Sequence, residues 1–167
     1  MLYNAPRAAS ITAETDSNMW QLGRDTFNNI VKEASAKKRE KYENFLSTVE
    51  ILQNMDHYER SKMADAVKEK KIKSGETIIK QGEAGEIFYI LVEGEAKATL
   101  DSDPSVSVKG YTSGDYFGER ALLSGEPRAA NVIAESDLKV ITLDRKSFKR
   151  LLGPLDDILK RNLANYQ

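Results

Sequence analysis

One short stretch of this sequence concentrates the residue types that hold an anion. It runs Tyr116-Phe117-Gly118-Glu119-Arg120-Ala121-Leu122-Leu123, then Ser124-Gly125-Glu126, then Pro127-Arg128-Ala129-Ala130-Asn131-Val132. Phe117-Gly118-Glu119 reads as a strand exit that opens a short apolar turn of helix. A helix start offers free backbone N–H groups and the positive end of a dipole, which suit a phosphate. Gly118 has no Cβ and lets a ligand approach the backbone. Arg128 can make a charge-assisted fork to phosphate oxygens. Ala129 and Ala130 keep the approach narrow and leave their N–H groups accessible. Glu119 is an acceptor with no sequence-local cation assigned to it, suited to a vicinal hydroxyl of ribose. Either charge alone reads as a surface group. Nine residues apart in a β context, they read as a pair.

Composition removes most competing chemistry. There is no Cys, hence no disulfide framework, thiolate metal site or cysteine nucleophile. The single His57 excludes a multi-His metal site, and its helical context beside Tyr58 makes it a surface or satisfied residue. No clustered carboxylate pair with a nearby base stands at a recognisable spacing, so an enzyme, such as a metal-dependent jelly roll, is the weak reading. Lys and Arg total 25 against 26 Asp and Glu, a formal net charge of −1 that gives no bias towards nucleic acid or an acidic membrane. No apolar run approaches the length of a membrane span, and the first twenty residues lack a basic start followed by an apolar stretch. These features agree with a cytoplasmic, non-catalytic protein.

The elements that must position the stretch follow from periodicity. Phe27, Ile30, Val31 and Ala34, then Tyr42, Phe45, Leu46 and Val49, predict one long helix or two nearly continuous ones over 24–49. The basic cluster Lys37, Lys38, Arg39 and Lys41 sits in its middle, as a solvated face or a partner surface. A second helix over 56–68 starts at Asp56 as N-cap. From Lys71 to Leu143, short apolar runs (78–79, 87–92, 96–100, 106–108, 132–133, 138–143) alternate with turns holding Gly75, Gly82, Gly85, Gly94, Gly110, Gly114 and Gly125. That texture predicts an all-β sandwich or barrel, with residues 101–105 as an exposed hairpin loop. Helical period returns after Asp144 with Phe148, Leu151 and Leu152. Gly153-Pro154 breaks it, and a last helix over 155–165 follows. The fold class is mainly β with flanking helices.

An internal repeat explains the helical start of the chain. At an offset of 121, residues 1–27 match 122–148 without a gap, with 11 identities in 27 positions. Average residue usage would give roughly two. The shared string is Pro-Arg-Ala-Ala, at 6–9 and at 127–130, followed by a strand and a helix start. The chain thus holds one complete roll and the tail of a preceding copy.

The stretch resembles the phosphate-binding cassette of cyclic nucleotide-binding domains. The whole chain resembles the regulatory subunits of cAMP-dependent protein kinases. The resemblance rests on Phe117-Gly118-Glu119, Pro127-Arg128-Ala129-Ala130, Gly85-Glu86-Ile87-Phe88-Tyr89, Leu152-Gly153-Pro154 and Ile158-Leu159-Lys160-Arg161-Asn162. It implies a jelly-roll-like β-roll, with residues 1–54 the end of a first nucleotide domain plus its connecting helix, and 55–167 a complete second domain. It also implies that Arg128 pairs with the exocyclic phosphate oxygens and Glu119 with the ribose 2′-OH, and that Gly118, Ala121 and Ala130 lend backbone groups. Ala129 is the residue that favours cAMP, where cGMP-selective members carry Thr. Tyr166 falls at the adenine-capping aromatic, Tyr58 at the cap of the preceding domain, and Arg7 at the phosphate arginine of a first site of which only half remains.

The function implied is a cAMP sensor. Nucleotide would pull the C-terminal helices over the roll and release an inhibited kinase catalytic subunit, which docks in part on residues 27–50. No cofactor beyond the ligand cAMP is implied. Two departures, Arg120 in place of Leu or Ile and Asn131 in place of Thr or Ser, keep an alternative open: a roll that has lost or changed its ligand and acts as an interaction module.

Overall fold

The computed structural model describes residues 9–53 and 55–153. Arg7, Tyr166 and the helix expected over 155–165 lie outside them. Helix α1 spans Arg24–Leu46, and a 3₁₀ turn covers Glu50–Leu52. Helix α2 spans His57–Ala66. Eight strands follow: β1 Lys68–Ile72, β2 Thr77–Ile79, β3 Ile87–Glu93, β4 Ala96–Leu100, β5 Asp103–Tyr111, β6 Tyr116–Phe117, β7 Asn131–Ala134 and β8 Leu138–Asp144. Helix α3, Glu119–Ser124, separates β6 from β7, and α4, Arg145–Leu152, follows β8.

The strands form two antiparallel four-stranded sheets, ordered β1-β8-β3-β6 and β2-β7-β4-β5. Strand β3 shows why the sequence builds two cores. Phe88 and Ile90 face the helices and pack with Tyr42, Leu46, Met63, Leu143 and Phe148. Tyr89 and Leu91 face the other sheet and pack with Ile79, Ala98, Phe117, Val132 and Val140. A strand covered on both faces reads as a continuous apolar run, which is what residues 87–92 present.

Helix α2 is capped by Asp56 as expected. Its carboxylate accepts from Glu59 N at 2.8 Å while the Glu59 side chain accepts from Asp56 N at 3.0 Å, a reciprocal capping box. The helix ends at Ala66, because residues 68–72 leave it to pair with β8 from Lys68↔Thr142 to Ile72↔Leu138. Helix α1 likewise stops at Leu46, three residues short of the expectation. Asp103 to Ser105 already belong to β5, so the hairpin tip is Asp101-Ser102, and Gly110 lies inside β5 and not in a turn.

The basic cluster on α1 lies on an exposed face, the first of the two readings, and its cations also reach neighbouring elements. Lys38 Nζ donates to Val67 O at 3.1 Å, Arg39 Nε pairs with Asp65 at 2.8 Å and Lys41 Nζ lies 3.5 Å from Glu69. Tyr42 adds a hydrogen bond from its hydroxyl to the Glu69 carboxylate. Three of the four cations therefore strap α1 onto α2 and β1.

Candidate functional site

Residues 116–121 and 128–130, with Val132, line a cleft of about 1090 Å3. Its walls are the inner face of the β2-β7-β4-β5 sheet, helix α3 with the residues flanking it, and the 3₁₀ turn between α1 and α2.

Gly118 makes the turn from β6 into α3 with φ +88°, a left-handed conformation. A Cβ there would lie 2.6 Å from Arg128 Nη1 and 3.0 Å from Ile87 O. The backbone twist and the closeness of the arginine thus demand glycine independently. Gly85 is required for space alone: a Cβ on it would meet the Ala121 Cβ at 2.3 Å and the Arg128 guanidinium carbon at 2.8 Å.

Arg128 is 8% exposed. Its backbone is held by the turn before β3, with Arg128 N donating to Glu83 O and Gly82 N to Arg128 O, each at 2.9 Å. Its side chain donates from Nη1 to Gly118 O at 2.6 Å and from Nη2 to Ile87 O at 2.7 Å. A guanidinium carries five N–H donors, so three remain for a ligand. Burial pulls its pKa below the ordinary arginine value, yet an arginine remains cationic throughout the physiological range.

Glu119 is 4% exposed. Burial pushes its pKa up; its own backbone N–H and the charges of Lys109, Arg120 and Arg128 oppose the shift, in that order. No basic side chain among the described residues is in ion-pair contact with it. A buried carboxylate lining a cleft is an acceptor that a hydrogen-bond donor entering the cleft can satisfy.

The other expected residues fall around this pair. Ala121 is buried on α3, Ala130 is half-buried and Ala129 is exposed, and all three line the cleft. The two departures resolve separately. Arg120 extends into solvent at the cleft rim. Asn131 accepts from Gln81 N at 2.9 Å and donates to Asp101 at 2.7 Å, tying β7 to the loop after β2 and to the β4–β5 tip. Its amide thus braces the roll beside the cassette. Tyr58 is exposed on α2 with Lys62 Nζ 4.1 Å from its ring centroid. His57 is exposed and pairs with Glu43 at 2.8 Å. Among the described residues no group of potential metal ligands clusters.

Sequence reasoning missed three parts of the site. Glu50, Ile51 and Gln53, from the turn between the helices, form one wall of the cleft. Lys109 and Tyr111 of β5 form another. Arg145, visible only as the repeat of Arg24, donates to Gly85 O at 2.7 Å and pairs with Glu86 at 2.9 Å, fixing the start of α4 beside the cassette.

Comparison with known proteins follows this geometry. Residues 69–153 match the family model of the cyclic nucleotide-binding domain. A cAMP-dependent protein kinase regulatory subunit from Colletotrichum orbiculare is 49% identical over 162 residues, covering 96% of this chain and 41% of that protein. The chain spans about two fifths of the length of the curated relatives it matches. Among solved structures, the regulatory domain of Toxoplasma gondii PKA co-crystallised with cAMP is 52% identical with a TM-score of 0.80, covering 87% of this chain and 57% of that one. The regulatory subunit of a cAMP-independent protein kinase A from Trypanosoma brucei was solved as a triple variant bound to cAMP in the A site. It is 33% identical with a TM-score of 0.73, covering 83% of this chain and 52% of that one. Two of its three substitutions are consecutive, Thr→Arg and Val→Ala.

Proposed function

The chain belongs to the cyclic nucleotide-binding domain family, and from that membership we propose that it is the cAMP-sensing part of a cAMP-dependent protein kinase regulatory subunit, a binder and not a catalyst. The observation that carries this reading is the pair of buried ionic groups, Arg128 and Glu119, in one cleft on either side of an obligatory glycine. The three remaining N–H donors of Arg128 take the exocyclic oxygens of the cyclic phosphate. Glu119 accepts from the ribose 2′-OH. Gly118, Ala121 and Ala130 offer backbone groups, and Ala129 is the residue that favours cAMP. The trypanosome variant supports the choice of cAMP: its introduced Arg-Ala dipeptide is the one this chain carries at 128–129. Tyr166 is the proposed lid over the base.

Residues 1–54 are proposed as the end of a first nucleotide domain with its connecting helix, and 55–167 as the second domain. Exposure supports the division. Trp20 is 104% exposed, whereas its repeat counterpart Ile141 is 1% exposed. Ile11, Met19 and Leu22 are exposed where Val132, Val140 and Leu143 are buried. Helices α1 and α4 start at Arg24 and Arg145, equivalent positions of the repeat. Residues 9–22 thus carry the core residues of a roll without its other strands. The kinase catalytic subunit is the proposed partner, docking in part on α1, whose Ile30 and Val31 are exposed. A cytoplasmic setting belongs to the same proposal, and no described helix is long and apolar enough to cross a membrane.

Calorimetry and thermal shift with cAMP, cGMP, adenosine and guanosine test the reading. One equivalent of cAMP per chain is expected, with a stabilisation of about 2.7 kcal/mol at a hundredfold excess over Kd. A panel in which no nucleotide binds would favour the interaction-module alternative.

A further inference from the structure

Arg128 lies in the loop between α3 and β7, outside both sheets. Its backbone docks on a turn over residues 80–83, which a hydrogen bond from Glu83 N to Lys80 O closes at 3.3 Å. Two main-chain bonds join loop and turn, Arg128 N to Glu83 O and Gly82 N to Arg128 O, each at 2.9 Å. Main-chain bonds of this kind do not depend on residue type. A side chain adds to them: Asn131, the first residue of β7, accepts on Oδ1 from Gln81 N at 2.9 Å, one residue before Gly82.

Asn131 is itself held. Its Nδ2 donates to Asp101 Oδ1 at 2.7 Å, and Asp101 N donates to Gln81 Oε1 at 2.8 Å. The three bonds close a ring through the exit of β2, the β4–β5 tip and the start of β7. A backbone N–H donates and a carboxylate accepts, so the ring dictates which end of the amide faces Gln81. The amide carries its acceptor and its donor on two separate atoms, which a single hydroxyl oxygen does not. The ring therefore fixes the turn that carries Arg128. A fork to phosphate oxygens works by geometry, and a binding group must be held to within about 0.5 Å of its productive place.

We propose that Asn131, oriented by Asp101, is a positioning residue for Arg128 and so for the phosphate end of the ligand. The proposal rests on the cAMP reading for that ligand. The test uses the full chain with Asn131→Asp, which keeps the side-chain shape and the acceptor for Gln81 N but sets a carboxylate against Asp101. Calorimetry should show cAMP weakened by roughly 2- to 12-fold, the equivalent of one hydrogen bond, with adenosine spared. Adding Asp101→Asn exchanges donor and acceptor across the pair and should restore cAMP affinity. In an Arg128→Lys background, Asn131→Asp should add less than about twofold, because both changes act through one group. Amide hydrogen exchange of the ligand-free chain should quicken at Gly82 and Arg128 in Asn131→Asp and recover in the double variant. Asp101→Ala, at the exposed hairpin tip, removes the same link and replaces Asn131→Asp if that variant does not fold. An unchanged cAMP affinity, an equal loss for adenosine, or wild-type exchange at both amides overturns the proposal. Absence of cAMP binding by the wild type would instead sink the ligand reading, and the exchange rates would still decide whether Asn131 holds the Arg128 backbone.

Discussion

Replacing Arg128 by Lys keeps one positive charge and removes the fork. In the structure two guanidinium nitrogens already serve Gly118 O at 2.6 Å and Ile87 O at 2.7 Å. The ligand is left the other three N–H groups, in a plane fixed by those two bonds. An ammonium has three donors at a single atom and cannot satisfy two carbonyls and a phosphate in different directions. It must forfeit one or more charge-assisted hydrogen bonds, worth about 1.5–3 kcal/mol. The expected loss of cAMP affinity is therefore about 10- to 150-fold. Isothermal calorimetry measures it, with adenosine as a control that lacks the phosphate. The loss should fall on cAMP and spare adenosine. An unchanged cAMP affinity in a folded variant, or an equal loss for adenosine, would refute the assignment of Arg128 to the phosphate.

Further outcomes follow from the same geometry. Glu119→Gln should weaken cAMP while stabilising the ligand-free protein. Burial raises the Glu119 pKa, so the folded state holds this proton more tightly than the unfolded one, and wild-type stability falls as pH rises through the folded-state titration. At neutral pH the variant should melt higher by roughly 2–4 °C, the shift for about 1 kcal/mol in a chain of this size, and the gain should vanish in acid; a lower neutral melting point contradicts it. Gly118→Ala forces a Cβ into a left-handed residue 2.6 Å from Arg128 Nη1. A cost of at least about 1–2 kcal/mol in urea unfolding, together with weaker cAMP binding, is expected. Tyr166→Ala should cost about 0.5–1.5 kcal/mol of cAMP affinity by calorimetry if that ring stacks on the base, and nothing if the lid is another group.

The cassette was legible because its parts are close in sequence. Gly118, Glu119 and Arg128 flank one short helix, and each residue type has a narrow chemical use. The long-range parts left no comparable trace. Strand β1 is Lys-Glu-Lys-Lys-Ile, and only Ile72 is buried. An edge strand with one apolar residue has no alternating pattern, so pairing with β8 and not local preference makes it a strand. Gly85 reads as one more turn glycine, although its constraint is the closeness of Ala121 and Arg128, far along the chain. The wall formed by Glu50, Ile51 and Gln53 comes from a turn more than sixty residues before the cassette. No periodicity encodes that kind of adjacency. The α1 cations are on the surface as read, but their partners, Asp65, Val67 and Glu69, lie beyond α1 and could not be read from its own pattern.

The site also explains where this fold accepts instability. The described ion pairs all leave at least one partner substantially exposed, but Glu119 and Arg128 are both buried and do not pair directly. Arg128 recovers part of its desolvation through Gly118 O and Ile87 O, whereas the Glu119 carboxylate, away from its own N–H, relies on charges at a distance. A ligand carrying both a phosphate and a vicinal hydroxyl satisfies the two groups together. On the proposed cAMP reading, binding would satisfy two groups that the fold buries at a cost as well as adding contacts. Arg128 holds Ile87 O at the start of β3, and Arg145, at the first turn of α4, holds Gly85 O and Glu86 immediately before it. A shift of this loop when phosphate enters would be felt by the cassette and by the helix leading to the C-terminus at once.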